Sequence, residues 1–282
     1  MCFPSGNHLS RLVINMNAIR TIKDLSYANY KGRVLHLDLY LPSGTDKARP
    51  AILWVRGGGW RSGDKNVDHP GAAIAAQGLI AAVIEYRGSA EVIAPGNVHD
   101  CKAAVRWLRA NAGTYGIDSD RIGAAGRSAG GHLVALLGTT AGCQALEGDG
   151  GNPTLPSSVQ AVCDFCGPSD LTRMANSSIR KQFTVLADVT AEYLGGPVEQ
   201  RLELARLVSP LNYASPATAP TFIIHGDADH IVPVEESIIF YDSLKKYGVD
   251  ASLHRVAMGT HDLPWATYGA QVMAFFRRTL IS

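Results

Sequence analysis

From Pro50 onward, short uninterrupted apolar runs alternate with segments of helical periodicity, and this order limits the possible folds more than any other feature. An apolar run without polar alternation is typical of a strand that is covered on both faces of a sheet. The predicted strands span residues 51–55, 79–84, 122–125, 159–165, 221–224 and 251–256, and the predicted helices span residues 70–77, 98–112, 128–140, 234–247 and 264–280. The repeated strand–helix order predicts the α/β class, with a mostly parallel central sheet flanked by helices and joined by right-handed crossovers.

Two earlier segments differ from the later strands because apolar residues recur in them at every second position. Leu35, Leu37, Leu39 and Leu41 share one face of the second segment, which favours a strand with two unlike faces. We therefore expect residues 21–27 and 34–41 to form an antiparallel pair at the edge of the sheet, joined near Lys31-Gly32.

Two regions lack the strand pattern. Residues 138–156 are rich in glycine, and we expect them to form a surface loop. Residues 170–217 contain no clean strand, and we expect a small helical insertion that forms a lid over the carboxyl edge of the sheet. Because no repeat or linker divides the chain, residues 1–282 are expected to form a single domain.

Composition limits the class of partner. The formal net charge is +1 and no block of lysine and arginine stands out, so the chain offers no electrostatic case for nucleic acid or an anionic membrane. No apolar run approaches the roughly 20 residues that span a bilayer. Residues 1–8 lack the charged-then-apolar order of a signal peptide, so a cytoplasmic protein is expected, although a removed leader would leave no trace. A small-molecule partner is therefore expected, and oligomeric state has no sequence signal.

The chain contains five cysteines, an odd number that favours reduced thiols over a disulfide framework. Cys163 and Cys166 form a C-x-x-C within an apolar strand-like run. No second pair and no histidine partner lies nearby in the sequence. Two buried thiols are therefore the favoured interpretation, and a redox or metal role is the alternative.

The pentapeptide Gly126-x-Ser128-x-Gly130 matches the nucleophile-elbow pattern. Such an elbow requires a strand before the serine and a helix after it, and the residues around Ser128 predict both. Small residues are needed on both sides because the turn brings backbone close to backbone. The pattern predicts a serine hydroxyl exposed at the carboxyl end of a strand, beside the first amides of a helix, where negative charge is favoured.

A run of three glycines, Gly57 to Gly59, follows the predicted strand at residues 51–55. Glycines leave backbone N–H groups unshielded, which suits an oxyanion hole, whereas a flexible turn is the alternative. In chains with an elbow serine, the oxyanion hole combines this loop with the amide after the nucleophile. That amide belongs to Ala129.

A serine nucleophile needs a base, and in this architecture the acid and then the histidine follow the serine in the chain. His261 lies in a loop directly after the last predicted strand, which suits the base. Asp227 and Asp229 follow the preceding strand, and Asp229 is preferred as the acid because Asp227 suits a turn. His132, within the helix after Ser128, is expected to face away from the site or to cap it.

As a set, five motifs resemble the α/β-hydrolase esterase/lipase superfamily, and within it the bifunctional feruloyl/acetylxylan-esterase-like branch. The motifs are Gly57-Gly58-Gly59-Trp60 with Ser62-Gly63-Asp64-Lys65, the run from Val98 to Arg109, the Ser128 elbow, Asp164-Phe165-x-Gly167-Pro168-x-Asp170-Leu171, and His225-Gly226-x-x-Asp229-x-x-Val232-Pro233. The resemblance covers most of the chain from about Thr21 onward. It implies the α/β-hydrolase fold and a serine carboxylic-ester hydrolase that acts on short-chain acyl or aryl esters, with no metal or organic cofactor.

Carried over by position, the resemblance implies particular roles. Ser128 would be the nucleophile, Asp229 the acid and His261 the base, and the oxyanion donors would be Gly58, Gly59 and Ala129. Two other interpretations stay open: an amide hydrolase of the same fold, arylformamidase-like or peptidase-like, and a catalytically silent hydrolase scaffold that serves as a binding protein.

Departures from the family pattern bear on the substrate pocket. Arg56 stands where the family usually has a histidine before the glycines, and it could brace the loop, which is the preferred interpretation, or reach an acidic substrate group. Arg127 precedes the serine, at a position where relatives often have a smaller or hydroxylic residue. Candidate substrate-binding residues are Trp60, Arg127, Phe165 and Trp265, although aromatic side chains beside strand ends also suit the core.

Overall fold

The structure is a computed structural model that describes residues 19–44 and 47–281. Its strands are β1 (Ile19–Tyr30), β2 (Arg33–Pro42), β3 (Arg49–Val55), β4 (Ile80–Ile84), β5 (Ile117–Arg127), β6 (Ala161–Phe165), β7 (Thr221–Gly226) and β8 (Ala251–Val256). Its helices are α1 (Gly71–Ala75), α2 (Gly96–Ala110), α3 (Ala112–Tyr115), α4 (Ala129–Thr139), α5 (Gln144–Glu147), α6 (Ser177–Gln182), α7 (Thr184–Leu194), α8 (Leu202–Leu207), α9 (Val234–Lys246) and α10 (Trp265–Leu280). Residues 1–8, on which the expectation about export depends, lie outside the described residues.

The eight strands form one sheet in the order β1-β2-β4-β3-β5-β6-β7-β8. The first two strands pair antiparallel, β2 pairs antiparallel with β4, and all later neighbours are parallel. The predicted α/β class, the mostly parallel sheet and the antiparallel edge pair are therefore confirmed. The parallel pairing brings the carboxyl ends of β3, β5, β6, β7 and β8 to one edge.

Helices cover both faces of the sheet, and β3 shows why its sequence is continuously apolar. Leu53 and Val55 belong to the core that contains α2 and α4, whereas Ile52 and Trp54 belong to the core on the opposite face, which contains α1 and α10. Successive side chains of a strand point to opposite faces, so burial of both faces requires apolar residues at consecutive positions.

Strand β5 is longer than the predicted strand at residues 122–125. It begins at Ile117 and includes a polar stretch up to Arg121 before the buried part. Arg49 of β3 pairs with Ile117, and the register shifts before the next pair, Ala51 with Ile122. The hydrophobic pattern missed this part because backbone pairing at the rim of a sheet does not require apolar side chains.

The prediction of a surface loop at residues 138–156 is wrong in part. This segment contains α5, and two cations of α2 hold it against the protein. The Lys102 ammonium donates to Glu147 Oε1 at 2.8 Å, and the Arg106 guanidinium donates to the backbone carbonyls of Gly150 and Gly151. Both cations are buried, and such charges are tolerated only when paired and hydrogen-bonded. The segment is therefore anchored rather than a free loop.

Residues 170–217, the predicted lid, contain α6, α7, α8 and three short 3-10 helices, at Leu171–Ala175, Val198–Gln200 and Pro210–Tyr213. Leu186, Tyr193 and Leu194 of α7 are buried in the core on the α2 side of the sheet. Among the helices of the described ranges, none has both the length and the hydropathy needed to cross a bilayer.

Candidate active site

The turn between β5 and α4 places Ser128 at the carboxyl edge of the sheet. Ser128 has φ 57° and ψ −122°, a conformation that is costly for a residue with a side chain. Its amide donates to Phe165 O at 2.7 Å and its carbonyl accepts from the amide of His132, so both neighbours hold the turn. The hydroxyl therefore projects from a constrained backbone.

The flanking glycines are required by close backbone approaches. A Cβ on Gly126 would lie 2.4 Å from Gly130 O, and a Cβ on Gly130 would lie 2.0 Å from Val55 O. Both distances are far below van der Waals contact, so no side chain fits at either position without movement of the backbone. The small residues of the G-x-S-x-G pattern thus have a steric cause.

His261 lies between Ser128 and Asp229. Its Nε2 is 2.9 Å from Ser128 Oγ, and its Nδ1 is 2.7 Å from Asp229 Oδ2. An ionised carboxylate only accepts hydrogen bonds, so Nδ1 carries the hydrogen and Nε2 accepts from the serine hydroxyl. The three side chains come from the ends of β5, β7 and β8 and form one continuous chain of hydrogen bonds.

Asp229 is buried and held ionised by its neighbours. Its Oδ1 accepts from the amides of Ile231 at 2.8 Å and Val232 at 2.9 Å. Burial opposes ionisation, but hydrogen bonds from His225 and His261 outweigh it and hold the pKa of Asp229 well below its usual range. A carboxylate fixed in this way orients His261 and stabilises a positive charge on its ring.

His225 is a supporting residue for which the sequence analysis assigned no role. Its Nε2 lies 3.0 Å from Val232 O and 3.2 Å from Asp229 Oδ2, while its Nδ1 lies 2.7 Å from Ser237 Oγ. Both neighbours of Nε2 are acceptors, so this nitrogen carries the hydrogen. The His225-Gly226 motif at the end of β7 was the available signal, because it places a buried imidazole beside the acid.

The structure also separates the two candidate acids. Asp227 accepts from Arg255 Nε at 2.9 Å, in a pair whose arginine is about half exposed. Of the two, only Asp229 contacts the imidazole.

The glycine loop after β3 faces Ser128. Gly58 has φ 124° and Gly59 has φ 60°, values that strongly favour glycine. Within the described ranges, the amides of Gly58, Gly59 and Ala129 donate to no other group of the chain. All three residues line the same cavity as Ser128, so three unengaged N–H groups lie beside the hydroxyl.

The cavity that contains Ser128 and His261, here called the nucleophile cavity, has a volume of about 480 Å³. The α7 helix of the predicted lid contributes Val185, Leu186 and Val189 to its wall. A Cβ on Gly59 would lie 2.8 Å from Val189 Cγ1, so α7 packs directly against the glycine loop. Pro168 and Ile231 add further apolar surface.

Trp60 lines the nucleophile cavity, but its ring is almost fully buried, so its contact with substrate stays a prediction. Only 1% of the residue is exposed, and the indole stacks on Tyr193 of α7 with centroids 4.6 Å apart. Its Nε1 donates to His132 Nδ1 at 3.2 Å, and His132 Nε2 lies 2.6 Å from Val208 O. Burial lowers the pKa of His132 to about 4, so the ring is neutral and links the glycine loop to the insertion. Trp60 is thus a brace of the loop.

Phe165 and Trp265 line a second cavity of about 350 Å³ rather than the nucleophile cavity. Trp54 forms edge contacts with both rings, with centroids 6.2 Å and 5.8 Å apart, and we call this space the aromatic cavity. Its remaining lining comes from Arg56, Gly57, Asp68, His69, Pro70, Ala73, Arg127, Leu263, Pro264 and Ala266. Arg127 lines both cavities, and its contact with substrate stays a prediction.

The preferred interpretation of Arg56 as a brace is not supported by the contacts of its guanidinium. Within the described part of the chain, this group makes no hydrogen bond or ion pair. The backbone of Arg56 is held instead by Tyr86, whose hydroxyl donates to Arg56 O at 3.0 Å. Loop support therefore comes from Tyr86 and Trp60.

The C-x-x-C residues are reduced and buried. Burial raises the pKa of Cys163 and of Cys166 well above the usual range, so neither is a thiolate near neutral pH. Cys166 Sγ contacts His261 O at 3.8 Å, which places it beside the histidine loop. These properties suit packing, the favoured interpretation of the motif.

Comparisons with known proteins agree with this geometry. The carbohydrate esterase from gut microbiota, in truncated form, is 28% identical with a TM-score of 0.82, over 93% of this chain and 97% of that one. Esterase 2 of Thermogutta terrifontis, solved in a form phosphorylated by paraoxon, is 26% identical with a TM-score of 0.74, over 94% of each chain. These similarities confirm the α/β-hydrolase fold.

Similarity extends to the Mycobacterium tuberculosis protein named "Probable carboxylic ester hydrolase LipM". It is 31% identical over 227 residues, which make up 79% of this chain and 51% of LipM. The chain thus spans about half the length of this relative. The BD-FAE family model matches residues 37–244, which contain the glycine loop, the elbow serine and Asp229. Because this match covers most of the chain, the protein belongs to the BD-FAE family within the α/β-hydrolase fold.

Proposed function

We propose that the protein is a serine hydrolase of carboxylic esters that acts through an acyl-enzyme intermediate. The observation that carries the proposal is the unbroken chain from Ser128 through His261 to Asp229, beside three unengaged amides on one cavity. A nucleophile, a base oriented by an acid, and donors for an oxyanion are the parts that acyl transfer requires. Named relatives that are esterases support the same activity.

In the first half of the reaction, His261 Nε2 takes the proton of Ser128 as Oγ attacks the ester carbonyl. The carbonyl oxygen gains negative charge and is stabilised by the amides of Gly58, Gly59 and Ala129. The imidazolium formed on His261 is stabilised by the buried Asp229 carboxylate. His261 then donates the proton to the leaving alcohol oxygen, and the C–O bond breaks to give the acyl-enzyme.

Deacylation uses the same groups with water in place of the alcohol. His261 accepts a proton from the attacking water, the oxyanion forms again, and collapse of the intermediate releases the acid and restores the serine hydroxyl. Each step is a proton transfer or an acyl transfer, and the side chains and backbone amides of the site provide the groups that these transfers need.

The nucleophile cavity favours a small acyl group. Its volume of about 480 Å³ includes room for both parts of the ester, and Leu186, Val189 and Ile231 give it apolar walls. Esterase 2 of Thermogutta terrifontis has been solved with propionate and with butyrate bound, which supports short acyl chains here. We therefore propose short-chain acyl or aryl esters as the substrate class.

A matched panel of 4-nitrophenyl esters and 4-nitroanilides tests this function. We expect rapid turnover of the acetyl, propionyl and butyryl esters and slower turnover of esters whose acyl chain is too long for the cavity. Turnover of the anilides of the same short acids should be far slower. Faster cleavage of the anilides or of N-formylkynurenine would instead favour the amide-hydrolase alternative. Failure to cleave any member would favour the silent scaffold.

A further inference from the structure

Arginines surround the glycine loop, and they differ in how their charges are satisfied. Arg61 forms a two-point ion pair with Glu192, with both N–O distances at 2.6 Å. Arg127 makes a single contact of 3.2 Å with the exposed carboxylate of Asp262. The Arg56 guanidinium has no ion pair or hydrogen bond in the described part of the chain. Arg56 is therefore the cation at this site with unused capacity to bind an anion.

Arg56 lies where the two cavities meet. The residues that line both the nucleophile cavity and the aromatic cavity are Arg56, Gly57 and Arg127. A Cβ on Gly58 would lie 3.5 Å from Arg56 Nη1, so the guanidinium runs alongside the oxyanion loop. A group bound to Arg56 would thus lie near the reacting ester and at the entrance to the aromatic cavity.

An unpaired, half-buried arginine beside a nucleophile has a chemical consequence. Arginine presents a rigid fork of donors that matches carboxylates, and its attraction to an anion increases where water is partly excluded. Asp68 is the acidic residue among those lining the aromatic cavity, and it makes no ion pair with Arg56. Arg127 is already paired with Asp262, whereas Arg56 attracts Asp64 only through space and makes no ion pair with it, so Arg56 keeps its hydrogen-bond donors free for an anion.

We propose that the substrate carries an acidic group, such as a carboxylate, which binds Arg56 with help from Arg127, on a ring that enters the aromatic cavity. This inference rests on the proposed ester hydrolysis and specifies its substrate class. The ring packs against Trp265, a partly exposed aromatic side chain of the aromatic cavity, while the ester carbonyl remains beside Ser128.

Two pairs of esters test the proposal, because the acidic ring could belong to either half of the ester. For the alcohol half, 4-acetoxybenzoate is compared with its methyl ester. For the acyl half, mono-4-nitrophenyl terephthalate is compared with its methyl ester. The readout is the ratio of kcat/KM for the acidic ester to that for the neutral one, measured in wild type, Arg56→Met, Arg56→Lys and Arg20→Met. Differences in intrinsic reactivity cancel when these ratios are compared between variants.

We expect the ratio in at least one pair to fall about 10-fold to 100-fold in Arg56→Met, as for loss of a hydrogen bond to a charged group. Arg56→Lys should retain part of the preference. Arg20→Met, which removes an exposed arginine on β1, should leave the ratio at the wild-type value. Added salt should lower the wild-type ratio, and this measurement also serves if Arg56→Met does not fold.

Equal losses for acidic and neutral esters in Arg56→Met would overturn the proposal, since Arg56 would then act on the loop or the oxyanion. A wild-type enzyme that cleaves neutral esters without favouring the acidic partner in either pair would also overturn it. Binding of the same esters to Ser128→Ala, measured by calorimetry, separates this test from turnover. If Ser128→Ala binds an acidic ester in preference to its neutral partner, and adding Arg56→Met abolishes this preference, the acidic site is supported even if no ester is hydrolysed.

Discussion

Replacing Ser128 with alanine is expected to lower kcat for short-chain esters by about a millionfold, the loss seen when the nucleophile of such a triad is removed. The imidazole of His261 would then have no hydroxyl to activate, although the amides and the cavity would remain. Initial rates on 4-nitrophenyl acetate, corrected for spontaneous hydrolysis, measure the effect.

The matched control is Ser43→Ala, which changes an exposed serine at the end of β2, far along the sheet from the elbow. It should retain the wild-type rate. Activity of Ser128→Ala within tenfold of wild type would show that another group performs the attack.

The second large effect is expected for Asp229→Asn, with a loss of about 10⁴-fold in kcat. An asparagine amide can donate to Nδ1 of His261, which would favour the tautomer that cannot accept the Ser128 proton. The buried position would also lose a carboxylate that stabilises the imidazolium. Stopped-flow or steady-state assays on the same ester measure the loss, and thermal unfolding checks that the variant is folded.

Asp227→Asn provides the comparison two residues away. Asp227 pairs with the half-exposed Arg255, and such surface ion pairs contribute about 0–1 kcal/mol. We therefore expect near wild-type kcat. If Asp227→Asn were the more damaging of the two, the assignment of the acid from the observed geometry would be wrong.

The elbow and the sheet could be predicted because their causes are local. The glycines around Ser128 are required by contacts within a few residues or with the adjacent strand, and apolar runs such as that of β3 follow from burial of both sheet faces. The order of acid and histidine along the chain then indicated which strand ends would supply them.

Other features depend on contacts between segments far apart in the sequence. The ring of Trp60 is buried because Tyr193 of α7 and His132 of α4 enclose it, and no pattern near Trp60 indicates this. Likewise, no local pattern indicates that Lys102 and Arg106 of α2 are buried, because both pair with Glu147, more than 40 residues away in the sequence. Long-range pairing of polar groups leaves little periodic signal.

The choice between Asp227 and Asp229 also depended on contacts that the sequence does not show, although the two residues are close together in the chain. Both carboxylates follow β7, and turn preference together with the family resemblance favoured Asp229. The structure adds the deciding contacts, because the amides of Ile231 and Val232 and the ring of His225 all converge on Asp229. The sequence likewise could not show that the Arg56 guanidinium makes no ion pair, because this depends on which residues the fold places beside it.

Covalent capture identifies the residue that attacks the ester. The protein is treated with a fluorophosphonate, digested, and sequenced by tandem mass spectrometry, alongside Ser128→Ala. We expect one adduct, on the Ser128 hydroxyl, that forms with loss of ester hydrolysis and is absent from the variant. An adduct on another residue with equal loss of activity, or an unlabelled protein that hydrolyses esters at full rate, would contradict the assignment of Ser128 as the nucleophile.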